Sequence, residues 1–190
     1  MYSYAWNEPR LATGIGVGIA VGGGVGGFTS SLMRSTTTDV AGLWNARVTI
    51  GTHIPLALDI SYIGTAANVN TLNGQPNGTL IGTDVEGAVR FNILPHYDWT
   101  PYIFGGVGWG HYNITSANFS TADSGMASSD NLVVFPLGVG FGYRDLSGFT
   151  FDMRGTFRVT TSSNLLTNPV TGDTANLDTW EASASLGYEF

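Results

Sequence analysis

Cysteine, lysine and charged side chains in general are missing or scarce in this chain. Its 190 residues contain no cysteine, no lysine and seven arginines, against 14 acidic residues. The absence of cysteine excludes a disulfide framework, a thiolate nucleophile and Cys-based metal sites, and the absence of lysine excludes Schiff-base chemistry. The net charge of −7 excludes a nucleic-acid partner, because phosphates require a basic surface.

Long hydrophobic runs are also missing. No segment reaches the roughly 18 consecutive apolar residues of a membrane helix. The best candidate, residues 14–27 (GIGVGIAVGGGVGG), alternates glycine with apolar residues, which indicates a strand. Only 11% of residues are charged although 43% are hydrophobic, so a charged surface cannot be what keeps this protein dispersed.

Alternation with a period of two residues runs through the whole chain. It gives no place to divide the chain, so we expect a single domain over residues 1–190. The segments that alternate predict eight strands, at approximately 10–25, 39–54, 56–66, 80–94, 100–114, 130–143, 148–162 and 178–190.

The predicted links between strands come in two sizes. The short ones, around Pro55 and at 95–99 and 144–148, fall at the end of the sheet that holds both termini. The long ones are rich in Ser, Thr, Asn and Gly and fall at the other end, at 28–38, 64–79, 115–129 and 162–177. Short turns at one end and long loops at the other are typical of an outer-membrane barrel.

Sorting each strand by parity separates an apolar face from a face that carries charge. The apolar face holds large residues such as Val48, Ile60, Val89 and Phe141, and no charged residue. The opposite face holds the expected interior charge network of Arg47, Asp59, Asp84, Glu86, Arg90, Asp152, Arg154, Arg158 and Glu181.

Three observations favour placing the apolar face outside. This face has more large residues than a barrel of eight strands can enclose. Glycines on the other face, such as Gly18, Gly22, Gly138 and Gly140, leave room for long charged side chains. Aromatic residues gather near the predicted strand ends, as at two membrane interfaces; the expected girdle is Trp44, Trp99, Trp109, Tyr143 and Trp180, with Phe28 nearby.

Two strands need separate treatment. The fifth is apolar at both parities, and we assign Ile103, Val107 and Trp109 to the outside and the glycines at 106, 108 and 110 to the inside. Pro136 in the sixth strand has no N–H to donate, which predicts a bulge or locally weak pairing.

The layout of strands, the stretch TPYIFGGVGWG (100–110) and the terminal aromatic pattern resemble the OmpA/OmpX-like superfamily of small outer-membrane barrels. The resemblance implies an all-β fold: an eight-stranded antiparallel up-and-down transmembrane barrel, apolar outside, and polar, charged and Gly-rich inside. It implies location in the bacterial outer membrane, a signal peptide that is removed or not shown, a periplasmic segment at 1–9 and no periplasmic domain.

The resemblance also implies partners. They are outer-membrane lipid including lipopolysaccharide, and the barrel assembly machinery, which would read Tyr188 and Phe190 as an assembly signal. Ser185 stands where a glycine is favoured in that signal.

Catalysis and metal binding are weakly indicated. His111 is the histidine nearest the long loops, with Ser116, Asp123 and Asp130 following it, but the His-x-Ser spacing of the outer-membrane lipid A deacylases is absent. The loop acids, Asp123, Asp130, Asp173 and Asp178, lack an ordered ligand spacing. We expect no enzyme, cofactor or metal site.

Two functional hypotheses remain. The interior charges form either a packed plug of ion pairs or a gated path, because unpaired buried charge is too costly to persist. The leading hypothesis is a surface protein whose long loops contact a protein partner or a second copy of the chain. The alternative is a narrow passive channel gated by interior Arg and carboxylate pairs.

Overall fold

A computed structural model of the chain describes residues 14–30, 40–70, 76–115, 129–161 and 178–190. The predicted N-terminal segment, 1–9, lies outside the described residues. The described residues form eight strands, in which side chains alternate between two faces: β1 Val17–Phe28, β2 Ala41–Ile50, β3 Leu56–Asn70, β4 Pro76–Asn92, β5 Trp99–Thr115, β6 Ser129–Arg144, β7 Phe149–Thr160 and β8 Thr179–Glu189.

The strands close into a barrel. Each strand pairs antiparallel with the next in the chain, and β1 pairs with β8 from Gly18↔Glu189 to Phe28↔Thr179. The predicted fold, an all-β antiparallel up-and-down barrel of eight strands, is therefore confirmed. In the part of the chain that the structure describes, no helix is long and apolar enough to cross a membrane.

Three short turns lie at one end of the barrel, which we call the turn end. They comprise residues 51–55, 93–98 and 145–148. The opposite end, which we call the loop end, carries the connections that include 31–39, 116–128 and 162–177.

Two strand boundaries predicted at the turn end are wrong, and glycine explains both. β1 starts at Val17, because Gly14 and Gly16, which the prediction includes in the strand, have φ of 133° and 68° and interrupt an extended strand; residues 10–13 of the predicted strand lie outside the described residues. β2 stops at Ile50 rather than 54, because Gly51 has φ of 99° and begins the turn. The Gly51 N–H donates to the Gly16 carbonyl at 2.9 Å.

The predicted long link at 64–79 is also wrong. β3 continues to Asn70 and β4 begins at Pro76, so only 71–75 separate them. The hairpin continues because Ala67 and Leu80 pair and both bury their side chains inside the barrel.

The prediction for Pro136 is confirmed as a local loss of pairing. Between β5 and β6 the ladder runs to Gly105↔Leu137 and resumes at Gly108↔Val134, with the register unchanged. Pro136 points inward and is fully buried.

Candidate functional site in the barrel lumen

The two faces of the barrel differ sharply in exposure. Outward residues such as Val139 and Ile103 are 61% and 51% exposed, whereas Asp59 and Asp84 inside are 0% exposed. The fifth strand follows the assigned parity, since Ile103, Val107 and Trp109 are exposed and its inner positions are half-buried or buried. The apolar residues therefore form the outer wall, and the charged residues line the lumen.

Aromatic residues mark both ends of the outer wall. At the turn end the Trp99 and Tyr143 rings are 4.4 Å apart. At the loop end Trp44, Trp109 and Trp180 are exposed. Trp99 is the first residue of β5 and Trp109 lies ten residues further along the same strand. At about 3.3 Å per residue and a tilt near 40°, the wall between them is about 25 Å tall, the height of the apolar band of membrane barrels.

One aromatic does not belong to this wall. Phe28, placed near the girdle from the sequence, is only 6% exposed and points into the lumen. The reason is parity, because β1 extends to Phe28 and its even-numbered residues face inward.

Glycines make room in the lumen for large side chains on neighbouring strands. A Cβ at Gly140 would collide with the Tyr102 ring, and a Cβ at Gly138 would collide with the Phe104 ring. Tyr102 and Phe104 are 1% and 6% exposed. The glycine stripe of β6 thus accommodates two aromatic rings inside a narrow barrel.

Tyr102 is the centre of the ion-pair cluster near the turn end. Its hydroxyl donates to Asp152 at 2.7 Å, and Arg47 contacts the same carboxylate at 2.5 Å. The guanidinium of Arg90 stacks on the Tyr102 ring, 3.5 Å from its centroid, and Arg154 Nε donates to the Tyr102 oxygen at 3.2 Å. We call this set the lower cluster.

Each remaining charge of the lower cluster also has polar contacts. Arg154 forms an ion pair with Asp59, which also accepts a hydrogen bond from Thr49 at 2.7 Å. Arg90 Nε donates to Asn92 Oδ1 at 2.6 Å, and its Nη1 is 3.9 Å from Asp152.

A second cluster, the upper cluster, lies closer to the loop end. Arg158 is 3% exposed and forms ion pairs with both Glu86 and Glu181. Asp84 is fully buried, and its Oδ1 has no hydrogen-bond partner among the described residues; its Oδ2 is 3.5 Å from the Tyr112 hydroxyl. One arginine thus faces three carboxylates in this cluster, which gives it a net negative charge.

A third set of ionic contacts closes the turn end. Arg144 contacts Glu189 at 2.6 Å and donates to the carbonyls of Pro95 and Tyr97 at 3.1 and 3.4 Å. His53 contacts the same carboxylate. Through Glu189 the last strand therefore contacts His53 in the first turn and Arg144 next to the third, and Arg144 in turn contacts the second turn.

The interior above the upper cluster is mostly apolar, with Thr65 and Thr179 as polar residues among the apolar ones, and sorting by parity did not predict this. The buried residues there form a cap toward the loop end, and they are Phe28, Leu43, Ile63, Ala67, Leu80, Tyr112, Leu132 and Val134. Cavities in the upper lumen are only about 20 Å³ each. Since about 10–15 Å³ is needed per water, each of these cavities has room for about one water molecule.

The structure brings the predicted charge network together in two clusters rather than one line. Arg47, Asp59, Arg90, Asp152 and Arg154 meet in the lower cluster. Asp84, Glu86, Arg158 and Glu181 meet in the upper one. The sequence analysis did not identify Tyr102, Phe104 and Tyr112 as residues of the lumen. The available signal was their parity: they are even-numbered residues of β5, whereas the outward-facing Ile103 and Trp109 are odd-numbered.

The residues considered for catalysis do not form a described site. The His111 ring stacks on Trp109, with centroids 5.9 Å apart, and its Nδ1 is 2.9 Å from Asn131 Oδ1. Ser116 and Asp123 lie outside the described residues, as does the loop acid Asp173. Within the described ranges, no group of three His, Asp or Glu residues is arranged to hold a metal.

Comparison with known proteins gives structural matches but no sequence matches. No sequence-family model matches the chain, and no functionally characterised protein matches it significantly by sequence. The N-terminal β-barrel domain of Pseudomonas aeruginosa OprF aligns with a TM-score of 0.54 at 15% identity, covering 96% of this chain and 100% of that one. The chain has the fold of the small outer-membrane β-barrels.

Two further barrels support the same assignment. Neisserial surface protein A (NspA) aligns with a TM-score of 0.59 at 14% identity, covering 92% of this chain and 96% of that one. Ail, the attachment invasion locus protein of Yersinia pestis, in complex with the heparin analogue sucrose octasulfate, aligns with a TM-score of 0.55 at 16% identity and covers 92% and 98%. At such identities the likeness concerns the fold, so the chemistry of this lumen rests on its own residues.

Proposed function

We propose that this protein is an integral barrel of the bacterial outer membrane and a non-enzymatic surface protein whose loops contact a partner. The observation that carries the proposal is the combination of an apolar outer wall with a lumen closed by ion pairs and an apolar cap. A wall of this kind requires lipid around it, and a closed lumen leaves the loop end as the surface for interaction.

The outer wall supports the membrane location. Among the described residues, no charged side chain faces outward between the two aromatic girdles. A charge at the middle of such a wall costs about 2–4 kcal/mol in a bilayer. The test is gel mobility after refolding into detergent or phospholipid: we expect different migration before and after boiling, while equal mobility and ready solubility without detergent would contradict the proposal.

The charge of the loop end supports a neutral or cationic partner. The chain positions at this end include Arg34 but also Asp39, Asp123, Asp130, Asp173 and Asp178. Ail has been solved with a heparin analogue, but five acids against one arginine disfavour a polyanion here. We expect no retention of the refolded barrel on immobilised heparin at physiological salt, and retention would contradict this choice of partner.

A photo-crosslinking amino acid tests the loop contact in cells. Placed within 116–128, it should yield a discrete adduct with a neighbouring protein or a second copy of the chain. The matched control is the same probe at Leu146, which is 83% exposed in a turn at the opposite end. Adducts only from the turn end would contradict a loop-mediated function.

Assembly would use the final strand. Phe190 is 73% exposed, its ring is 5.1 Å from Tyr188, and its N–H donates to the Val17 carbonyl at 2.9 Å. We propose that the barrel assembly machinery recognises these two outward aromatics, and that lipid including lipopolysaccharide surrounds the wall.

A narrow channel is the second candidate. Small cavities do occur along the lumen, separated by ion pairs. Conduction would require Arg158 to leave Glu86 and Glu181 and the apolar cap to open, so the geometry favours the closed state. Planar-bilayer recording distinguishes the two: reproducible conductance that Arg90→Ala or Arg158→Ala abolishes would count against the plug.

A further inference from the structure

We propose that the upper cluster holds a bound proton on Asp84, so that this side chain is a neutral carboxylic acid in the folded barrel. Asp84 lies on β4, faces the lumen and is fully buried. The proposal goes beyond the surface function, because it concerns the closed interior and needs neither the loops nor a partner.

The charges of the lumen leave one acid without a counterpart. Between the apolar cap and the turn end, the described side chains include four arginines and five acids, which are Arg47, Arg90, Arg154, Arg158, Asp59, Asp84, Glu86, Asp152 and Glu181. At the turn end itself Arg144 contacts Glu189, and Asp98 is a half-buried turn residue that water reaches. An uncompensated charge inside a closed lumen is costly. A proton on one of the five acids makes the positive and negative charges equal.

The contacts of Asp84 are those of a neutral acid rather than of a carboxylate. Its Oδ1 is buried without a hydrogen-bond partner among the described residues, and its Oδ2 is 3.5 Å from the Tyr112 hydroxyl. A hydroxyl–oxygen hydrogen bond is about 2.5–3.0 Å long, so this contact does little to stabilise a negative charge. Asp59 is equally buried, but it forms an ion pair with Arg154 and accepts a hydrogen bond from Thr49 at 2.7 Å. Of these two acids, only Asp59 has the contacts that an ionised carboxylate requires.

The charges that face Asp84 disfavour a further negative charge. Glu86 lies two residues along β4 on the same face, and Glu181 faces it from β8. Arg158 on β7 is the cation of this cluster, and it already forms ion pairs with both glutamates. The other inward residues around Asp84 carry no charge at neutral pH, and they are Ile63 on β3, Gly110 and Tyr112 on β5, and Leu132 and Val134 on β6.

A proton fits this position better than water or a metal ion. Water could donate to the free oxygen, but it would leave the charges of the lumen unequal. A metal ion needs several oxygen ligands, and among the described residues no three acids or histidines are arranged to hold one. A Cβ added at Gly110 would collide with Asp84 Oδ1, so this oxygen packs directly against β5, which leaves no gap for an ion on that side.

The bound proton makes the upper cluster sensitive to alkali. Its loss would add a third negative charge beside the two glutamates that share Arg158. Like charges at close range repel one another. Raising the pH should therefore weaken the ion pairs that close this part of the lumen.

The pH dependence of stability tests the proton, with Asp84→Asn as the variant that cannot ionise. Both refolded full-length chains are unfolded by urea from phospholipid vesicles between about pH 5 and pH 8. The unfolded wild-type chain releases the proton, because an aspartate in water has a pKa of about 3.9, whereas the folded barrel keeps it. The folding equilibrium constant of the wild type, relative to the variant, should therefore fall by up to about tenfold for each unit of rising pH.

Asp59→Asn is the matched control, since Asp59 is equally buried but has an arginine partner. It should lower the folding equilibrium constant about a hundredfold or more at neutral pH, whereas Asp84→Asn should raise it, because the variant takes up no proton on folding. A ratio of wild type to Asp84→Asn that does not change with pH, or that follows the sodium concentration instead, would overturn the proposal.

Infrared spectroscopy of the barrel with ¹³C-labelled aspartate detects the proton without unfolding. A protonated carboxylic acid has a C=O stretching band that ionised carboxylates lack, and we expect this band at neutral pH. Asp84→Asn should remove it, whereas Asp98→Asn, in a turn that water reaches, should keep it. A folded wild-type barrel without the band, or a band that persists in Asp84→Asn, would contradict a proton on Asp84.

Discussion

Removing Arg158 tests how completely the lumen is sealed. This side chain is 3% exposed and serves both Glu86 and Glu181, which are 5% and 9% exposed. Arg158→Leu would leave these two carboxylates without the cation that they share, beside Asp84, whose Oδ1 already has no hydrogen-bond partner among the described residues. Breaking a buried ion pair from one side costs about 3–5 kcal/mol, which corresponds to a change of about two to nearly four powers of ten in the folding equilibrium.

Equilibrium unfolding in urea from phospholipid vesicles, followed by tryptophan fluorescence, measures this loss. The comparison variant replaces Arg158, Glu86 and Glu181 together by leucine. It should recover most of the stability, because a whole buried triad can be exchanged for apolar residues at little cost. A loss below about 1 kcal/mol for the single variant would refute the reasoning, since that is the range of an ion pair in contact with water.

Three further predictions concern packing, lipid contact and assembly. Gly140→Ala forces a Cβ against the buried Tyr102 ring and should destabilise the barrel by about 1–3 kcal/mol. Gly87→Ala, whose Cβ would have nothing within 4 Å, should leave the stability unchanged. The two variants are compared by the temperature at which each loses the gel mobility of the folded barrel. Val139→Arg, in the middle of the outer wall, should lower the free energy of unfolding by about 2–4 kcal/mol, and Asn113→Arg, beyond the girdle, should lower it by at most about 1 kcal/mol. Equilibrium unfolding from phospholipid vesicles measures both. Deleting Phe190 should reduce outer-membrane assembly in cells but leave refolding into detergent unchanged, and normal assembly in cells would contradict its proposed role.

The strand count and the inside-out parity were predictable because alternation is a local property. Most strands carry apolar residues such as Val139 at one parity and mainly small or charged residues at the other, and the barrel keeps that sorting. A period of two determines which face a residue belongs to, without knowledge of its neighbours.

The composition of the lumen was less predictable. Residues 100–110 are apolar at both parities, so the pattern alone does not reveal Tyr102 as the centre of the lower cluster. The apolar cap, with Leu80 and Leu132 inside, depends on strands that continue past the wall, and those boundaries depend on long-range pairing.

The ion-pair partners also required the structure. Arg158 on β7 reaches Glu86 on β4, across the barrel and 72 residues away in the chain. Which arginine meets which acid is determined by strand register and barrel stagger, which composition does not encode. Positive φ at Gly14, Gly16 and Gly51 likewise moved two strand ends that alternation alone would have extended.

The central claim is that the apolar face meets lipid and the charged face fills a closed lumen. Because the chain has no cysteine, single cysteines in β8 can be spin-labelled one at a time after refolding into phospholipid vesicles. Outward positions 182, 184 and 186 should be accessible to oxygen dissolved in the bilayer, and inward positions 183 and 185 should be protected from it. Reversed parity, or equal accessibility at all five positions, would contradict the account.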